Sequence, residues 1–197
     1  MERVLCFGDS NTFGYDPRSF FGARYPADIR WTGLLQKRGW AVANCGQNGL
    51  CIPRETQLAA VADLLRRVPS DVVTVMLGSN DLLNGASAEE AGERMKALLC
   101  SMAENITDTA ILLIAPPPMR FGDWVQTQRL IDESIRLGGQ YRALAKKLGV
   151  AFADAGEWSV TLTFDGVHFS PEGHAAFAAG LAETLEQMDS TMQGASQ

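Results

Sequence analysis

Four short blocks of the chain carry residues whose types and spacing suit acyl chemistry. In Gly8-Asp9-Ser10-Asn11 a serine follows a glycine that tolerates a tight turn, and a hydroxyl so placed can act as a nucleophile once a base takes its proton. Asp165-Gly166-Val167-His168 supplies such a base: an imidazole, with a carboxylate three residues away that can hold it in one tautomer. Leu77-Gly78-Ser79-Asn80-Asp81 offers an asparagine amide that can donate to a developing oxyanion. Asn44-Cys45-Gly46-Gln47-Asn48-Gly49 offers glycines, at which a backbone N–H can approach the same oxygen with no side chain in the way. Each block alone also reads as an ordinary turn or cap, since Gly, Asp, Ser and Asn are the residues turns use. Their combination points to catalysis.

Such blocks need a frame that brings distant residues to one edge. Short aliphatic runs alternate with segments of helical period, the pattern of βα units in an α/β protein whose parallel sheet is covered on both faces. Strands are predicted at residues 3–7, 41–45, 72–77, 110–115 and 150–153. A helix is predicted over 56–68, where Leu58, Val61, Ala62, Leu65 and Val68 recur at spacings of three and four. A second aligns Ala91, Met95, Leu98, Leu99 and Met102, and a third Leu137, Tyr141, Leu144 and Leu148. The last starts at the hydroxyl cap and proline of Ser170-Pro171 and turns Phe177, Leu181, Leu185 and Met188 inward. The strand over 72–77 is the most apolar and is expected at the sheet centre. Residues 14–28 and 116–124 resist the βα pattern and are candidate pocket walls. His174 is expected to be a partly exposed helix residue, and Asp9 and Asp81 are expected to brace the loops by hydrogen bonds.

The 197 residues fit one domain, read as 1–188 with a polar, frayed tail at 189–197. No apolar run approaches the roughly 20 residues that span a bilayer. The net charge of −6 leaves no basic stripe for nucleic acid. The apolar run at residues 4–7 is too short for a signal-peptide core, so a cytoplasmic location is expected. Four scattered cysteines read as buried thiols, and two histidines without zinc-ligand spacing argue against a metal site. The block after the first strand is neither a G-x-G-x-x-G dinucleotide turn nor a G-x-S-x-G elbow.

Taken in order, the four blocks resemble the SGNH, or GDSL-type, hydrolase family, and the resemblance runs from Phe7 to His168. It implies a flavodoxin-like three-layer α/β/α sandwich with a five-stranded parallel sheet. By position it implies Ser10 as nucleophile, His168 as base and acid, and Asp165 as the residue orienting it. The implied oxyanion donors are the backbone N–H groups of Ser10 and Gly49 and the Asn80 amide, with Gly46 as the competing glycine. Gly8-Asp9-Ser10-Asn11-Thr12-Phe13-Gly14-Tyr15, Arg24-Tyr25-Pro26, Arg30-Trp31-Thr32-Gly33-Leu34 and Pro116-Pro117-Pro118 look like the arylesterase and acyltransferase branch. That likeness implies a small-molecule ester substrate, no cofactor, and a homo-oligomer in some members.

The expected function is thus a serine esterase hydrolysing, or transferring, short acyl groups through an acyl-Ser10 intermediate. A carbohydrate acetylesterase is the first alternative and a lysophospholipase or thioesterase the next. A ligand-binding module on a degenerate hydrolase scaffold would have lost a catalytic group, and all are present in this sequence. No nucleic-acid or membrane partner is expected.

Overall fold

The computed structural model describes residues 2–19 and 21–195, the side chains of 192–195 aside. Five strands, β1 (Arg3–Gly8), β2 (Ala41–Gly46), β3 (Val72–Met76), β4 (Ala110–Ala115) and β5 (Ala151–Asp154), form one sheet. Every pairing is parallel, and the order is β2-β1-β3-β4-β5. β3 is central and buried at all five positions, as a strand covered on both faces should be.

Alternate residues of the strands feed two separate cores. Leu5, Phe7, Val73, Val75 and Leu113 face one side, where α3 (Thr56–Arg67), α5 (Ala88–Asn105) and α6 (Gln128–Leu148) pack. Val4, Cys6, Val72, Leu112 and Ile114 face the other, covered by α2 (Trp31–Lys37) and α7 (Pro171–Ala195). The result is an α/β/α sandwich. The longer helices follow their apolar periods. α5 opens on a full capping box, Ser87 with Glu90, which satisfies two backbone donors that no helical turn can reach.

Three features depart from the sequence reading. α2 was not anticipated: its seven residues make barely two turns, too short for a period to stand out, and Trp31 and Leu35 supply its buried face. α7 continues to Ala195, past the start of the expected frayed tail, while residues 196 and 197 lie outside the described residues. Cys6 alone is fully buried; Cys45, Cys51 and Cys100 are half-buried, and all four are free thiols. Among the described residues no helix is long and apolar enough to cross a membrane.

Because β1 and β3 are neighbours while β2 lies outside β1, the strand order reverses at β1, and parallel sheets open a crevice at the carboxyl ends there. The one-turn helices α1 (Ser10–Phe13) and α4 (Ser79–Leu83) leave β1 and β3 at this crevice.

Candidate active site

The site begins with the turn out of β1. Asp9 caps α1, its carboxylate accepting the Asn11 N–H at 2.9 Å, so the chain turns sharply and leaves Ser10 in the first turn of the helix. Burial raises the Asp9 carboxyl to about 6, against the lowering influence of the Asn11 N–H and of His168. Ser10 is 7% exposed, so little of it reaches solvent.

His168 arrives from the other end of the chain. Its Nε2 lies 2.9 Å from Ser10 Oγ, and its Nδ1 lies 2.7 Å from Asp165 Oδ2. The second carboxylate oxygen of Asp165 accepts three hydrogen bonds, from the N–H groups of Val167 and His168, each at 2.9 Å, and from Thr163 Oγ1 at 3.0 Å. Burial alone would raise the Asp165 carboxyl, but the bond to His168 and these backbone donors outweigh it and hold the group at about 2. A carboxylate ionised and fixed in this way dictates which imidazole nitrogen carries the proton: Nδ1 donates to Asp165, and Nε2 faces the serine as an acceptor. Tyr15 and Trp124 pack on the ring, their centroids 4.7 and 4.9 Å from its own.

The loops after β2 and β3 carry Gly49 and Asn80. Gly49 occupies the third position of a turn closed by Leu50 N–H on Gln47 O, with φ +73°, where a glycine carries no penalty. Gly46 has another job: its N–H donates to Asn44 Oδ1 at 3.0 Å, and a Cβ there would lie 2.1 Å from Phe13 N. Asn80 donates from Nδ2 to Leu50 O at 3.1 Å, which ties the Gly49 turn to α4. Asp81, fully buried, accepts from Ile52 N–H at 2.9 Å and Arg94 Nη1 at 2.7 Å, locking the same two loops to α5. A cavity of about 570 Å³ exists, but it lies at the amino ends of β4 and β5, away from this chemistry.

A model of the GDSL-like lipase/acylhydrolase family matches residues 6–176, from within β1 to the first turns of α7. The chain belongs to the GDSL-like lipase/acylhydrolase family. No curated protein sequence matches it significantly. Among solved structures, this GDSL-like chain is similar to a protein of Agrobacterium tumefaciens str. C58 provisionally assigned as an arylesterase, at 31% identity and a TM-score of 0.83, covering 95% of this chain and 99% of that one. It is also similar to the aryl esterase of M. smegmatis, at 28% identity, TM-score 0.82, and 95% and 99% coverage. Est24, a carbohydrate acetylesterase from Sinorhizobium meliloti, matches at 26% identity, TM-score 0.81, and 95% and 100% coverage. This chain shares its five-stranded parallel α/β/α fold with these structures.

The four sequence blocks lie where β1, β2 and β3 end and in the segment that precedes α7. Ser10, Asp165 and His168 form one hydrogen-bonded series, while Gly49 and Asn80 sit on two linked loops. Asp9 and Asp81 brace loops, as expected from the sequence. His174 is fully buried, not partly exposed: its Nδ1 accepts the Trp31 N–H at 3.4 Å, and the rings of Tyr25 and Phe169 enclose it. Residue periodicity could have shown this, since His174 precedes Phe177 and Leu181 on the inward stripe by three and seven positions. Thr163 was missed. Its only sequence signal is a hydroxyl two residues before Asp165, which many turns share.

Proposed function

We propose that this protein is a serine esterase that cleaves short acyl esters through an acyl-Ser10 intermediate. The observation that carries the reading is the unbroken hydrogen-bond series from Asp165 through His168 to Ser10 Oγ at the carboxyl edge of the sheet. Ser10 attacks the ester carbonyl as His168 Nε2 takes its proton, and the imidazolium formed is stabilised by the ionised Asp165. The tetrahedral oxyanion is received by the Ser10 and Gly49 backbone N–H groups and the Asn80 amide. Gly49 fills this role in preference to Gly46, because the Gly46 N–H is engaged by Asn44. His168 then protonates the departing alkoxide, and water, activated by the same imidazole, releases the acid. An alcohol in place of water would give acyl transfer. No step calls for a cofactor.

Short acyl groups are favoured because Ser10 is so little exposed, and because the described residues between the five strands and their covering helices form no separate cap over it. A second reading, removal of acetyl groups from sugars, draws support from the likeness to Est24 and from Trp124, half-exposed beside His168, where a sugar ring can stack. Hydrolysis of p-nitrophenyl esters from acetate upward, with acetylated xylose in parallel, tests both. Turnover highest on acetate and absent in Ser10→Ala is the expected result. Preference for the sugar acetate selects the second reading, and turnover that survives in Ser10→Ala refutes both.

A further inference from the structure

Asn11 has a buried side chain to which the reaction above gives no task. Its amide makes two hydrogen bonds to a segment more than 150 residues away, and they fall on either side of the base. Asn11 Oδ1 accepts the Phe169 N–H at 2.9 Å, and Nδ2 donates to Val167 O at 3.1 Å. One partner is a donor and the other an acceptor, so the pair fixes which way round the amide lies. The backbone of Asn11 is itself anchored, its carbonyl accepting the indole N–H of the buried Trp31 at 2.8 Å.

The loop that carries the base is held elsewhere on its opposite flank. Arg120 N–H donates to Gly166 O and Trp124 N–H to Asp165 O, both at 3.1 Å. Between the nucleophile turn, residues 9–15, and the base loop, residues 161–170, three hydrogen bonds exist among the described residues. They are the two from Asn11 and the one between Ser10 and His168. The last must break whenever the serine is acylated. The other two take no part in proton transfer and persist.

We propose that Asn11 is a positioning residue: by clamping the backbone on both sides of His168 to the nucleophile turn, it keeps Nε2 in register with Ser10 while their own hydrogen bond is broken. The inference rests on Ser10 being the nucleophile. Other residue types fail for definite reasons. Alanine and leucine offer no polar atom, serine is too short to reach both partners, and aspartate sets an acceptor against the Val167 carbonyl.

The test uses wild type, Ser10→Ala, Asn11→Ala and Asn11→Asp, with three readouts: kcat and KM on p-nitrophenyl acetate, the rate of covalent labelling by an alkyl fluorophosphonate, and the thermal melt. Misplacing a base by an ångström costs on the order of 100-fold, so kcat and labelling rate are expected to fall together by about that factor in both Asn11 variants. KM should stay within about threefold, because substrate binding is untouched. Asn11→Asp, of nearly the same size and retaining the Phe169 bond, carries the test should Asn11→Ala fail to melt cooperatively. A cooperatively melting Asn11 variant labelled at the wild-type rate overturns the proposal, as does a loss confined to KM. Wild-type enzyme that the fluorophosphonate does not label at Ser10 refutes the nucleophile assignment instead, a result told apart by the Ser10→Ala control.

Discussion

Asp165 and Asp9 are both buried carboxyls near His168, and their hydrogen bonds separate their roles. Asp165 receives the Nδ1 proton of His168 on one oxygen and three donors on the other, so its charge is compensated on every side. An asparagine there could present an N–H to the ring and stabilise the wrong tautomer. Asp165→Asn is therefore expected to lower kcat by roughly 10³- to 10⁴-fold with little change in KM. Asp9 accepts the helix-capping N–H of Asn11, a task asparagine performs nearly as well, so Asp9→Asn should retain most of the wild-type kcat. Steady-state kinetics on the two variants decides the assignment, and the reverse outcome would exchange the two roles.

At the scale of elements, the nucleophile is placed by the packing of α1 on the edge strand β2. Asn44 donates from Nδ2 to Thr12 O at 2.7 Å and Thr32 Oγ1 at 2.9 Å, joining β2 to α1 and α2, and Gly46 lets α1 lie directly against the strand. Gly46→Ala would push its methyl into the Phe13 and Thr12 backbone and move the helix that carries Ser10. It is expected to cost about 1–3 kcal/mol of stability and at least about tenfold in kcat. Gly49→Ala is different in kind: nothing lies within 4 Å of the added methyl, and only the positive φ resists it. Its cost should be about 1 kcal/mol, with the N–H still in place and kcat reduced less than in Gly46→Ala. Urea melts beside kcat measurements separate the two.

For the molecule as a whole, buried titratable groups set an asymmetric response to pH. Burial, with His168 nearby, lowers the His174 imidazole to about 3 from an ordinary 6.5. Between those values the unfolded chain binds a proton that the folded chain refuses, so His174 removes stability as the pH falls. Asp9, raised to about 6 from 3.8, works in the opposite sense between about pH 6 and 4, since there the folded chain binds the extra proton. Asp165, held at about 2, contributes stability above pH 4 that is lost as the pH falls towards 2. His174 and Asp9 therefore oppose each other between about pH 6 and 4, while below pH 4 His174 and Asp165 act together. The melting temperature is expected to change little in the first interval and fall steeply in the second. His174→Gln, neutral at every pH, should show the shallower fall, measured by thermal melts from pH 7 to 3. An equal fall in the variant would show that His174 does not control acid stability.

The sequence by itself determined the strands, the long helices and the four polar blocks, because a period of two or 3.6 and the chemistry of a turn are written within a few neighbouring residues. The β4 prediction agrees with the structure at both ends, and β5 is displaced by one residue. Asp165 and His168 were legible as a pair, being three apart on one turn. The meeting of Ser10 with His168 was not legible in this way. Those residues are 158 positions apart, and only the order β2-β1-β3-β4-β5, together with α7 packing back beside α2, brings them to one crevice. The same holds for Gly46 and Gly49, which look alike as letters until the neighbour of each N–H is known, and for the partners of His174: its place on the inward stripe of α7 is written in the sequence, but its contacts with Tyr25, Trp31 and Phe169 are not. Local propensity acts over one turn of chain, whereas distance, burial and hydrogen-bond partnership across the chain exist only once the two cores have formed.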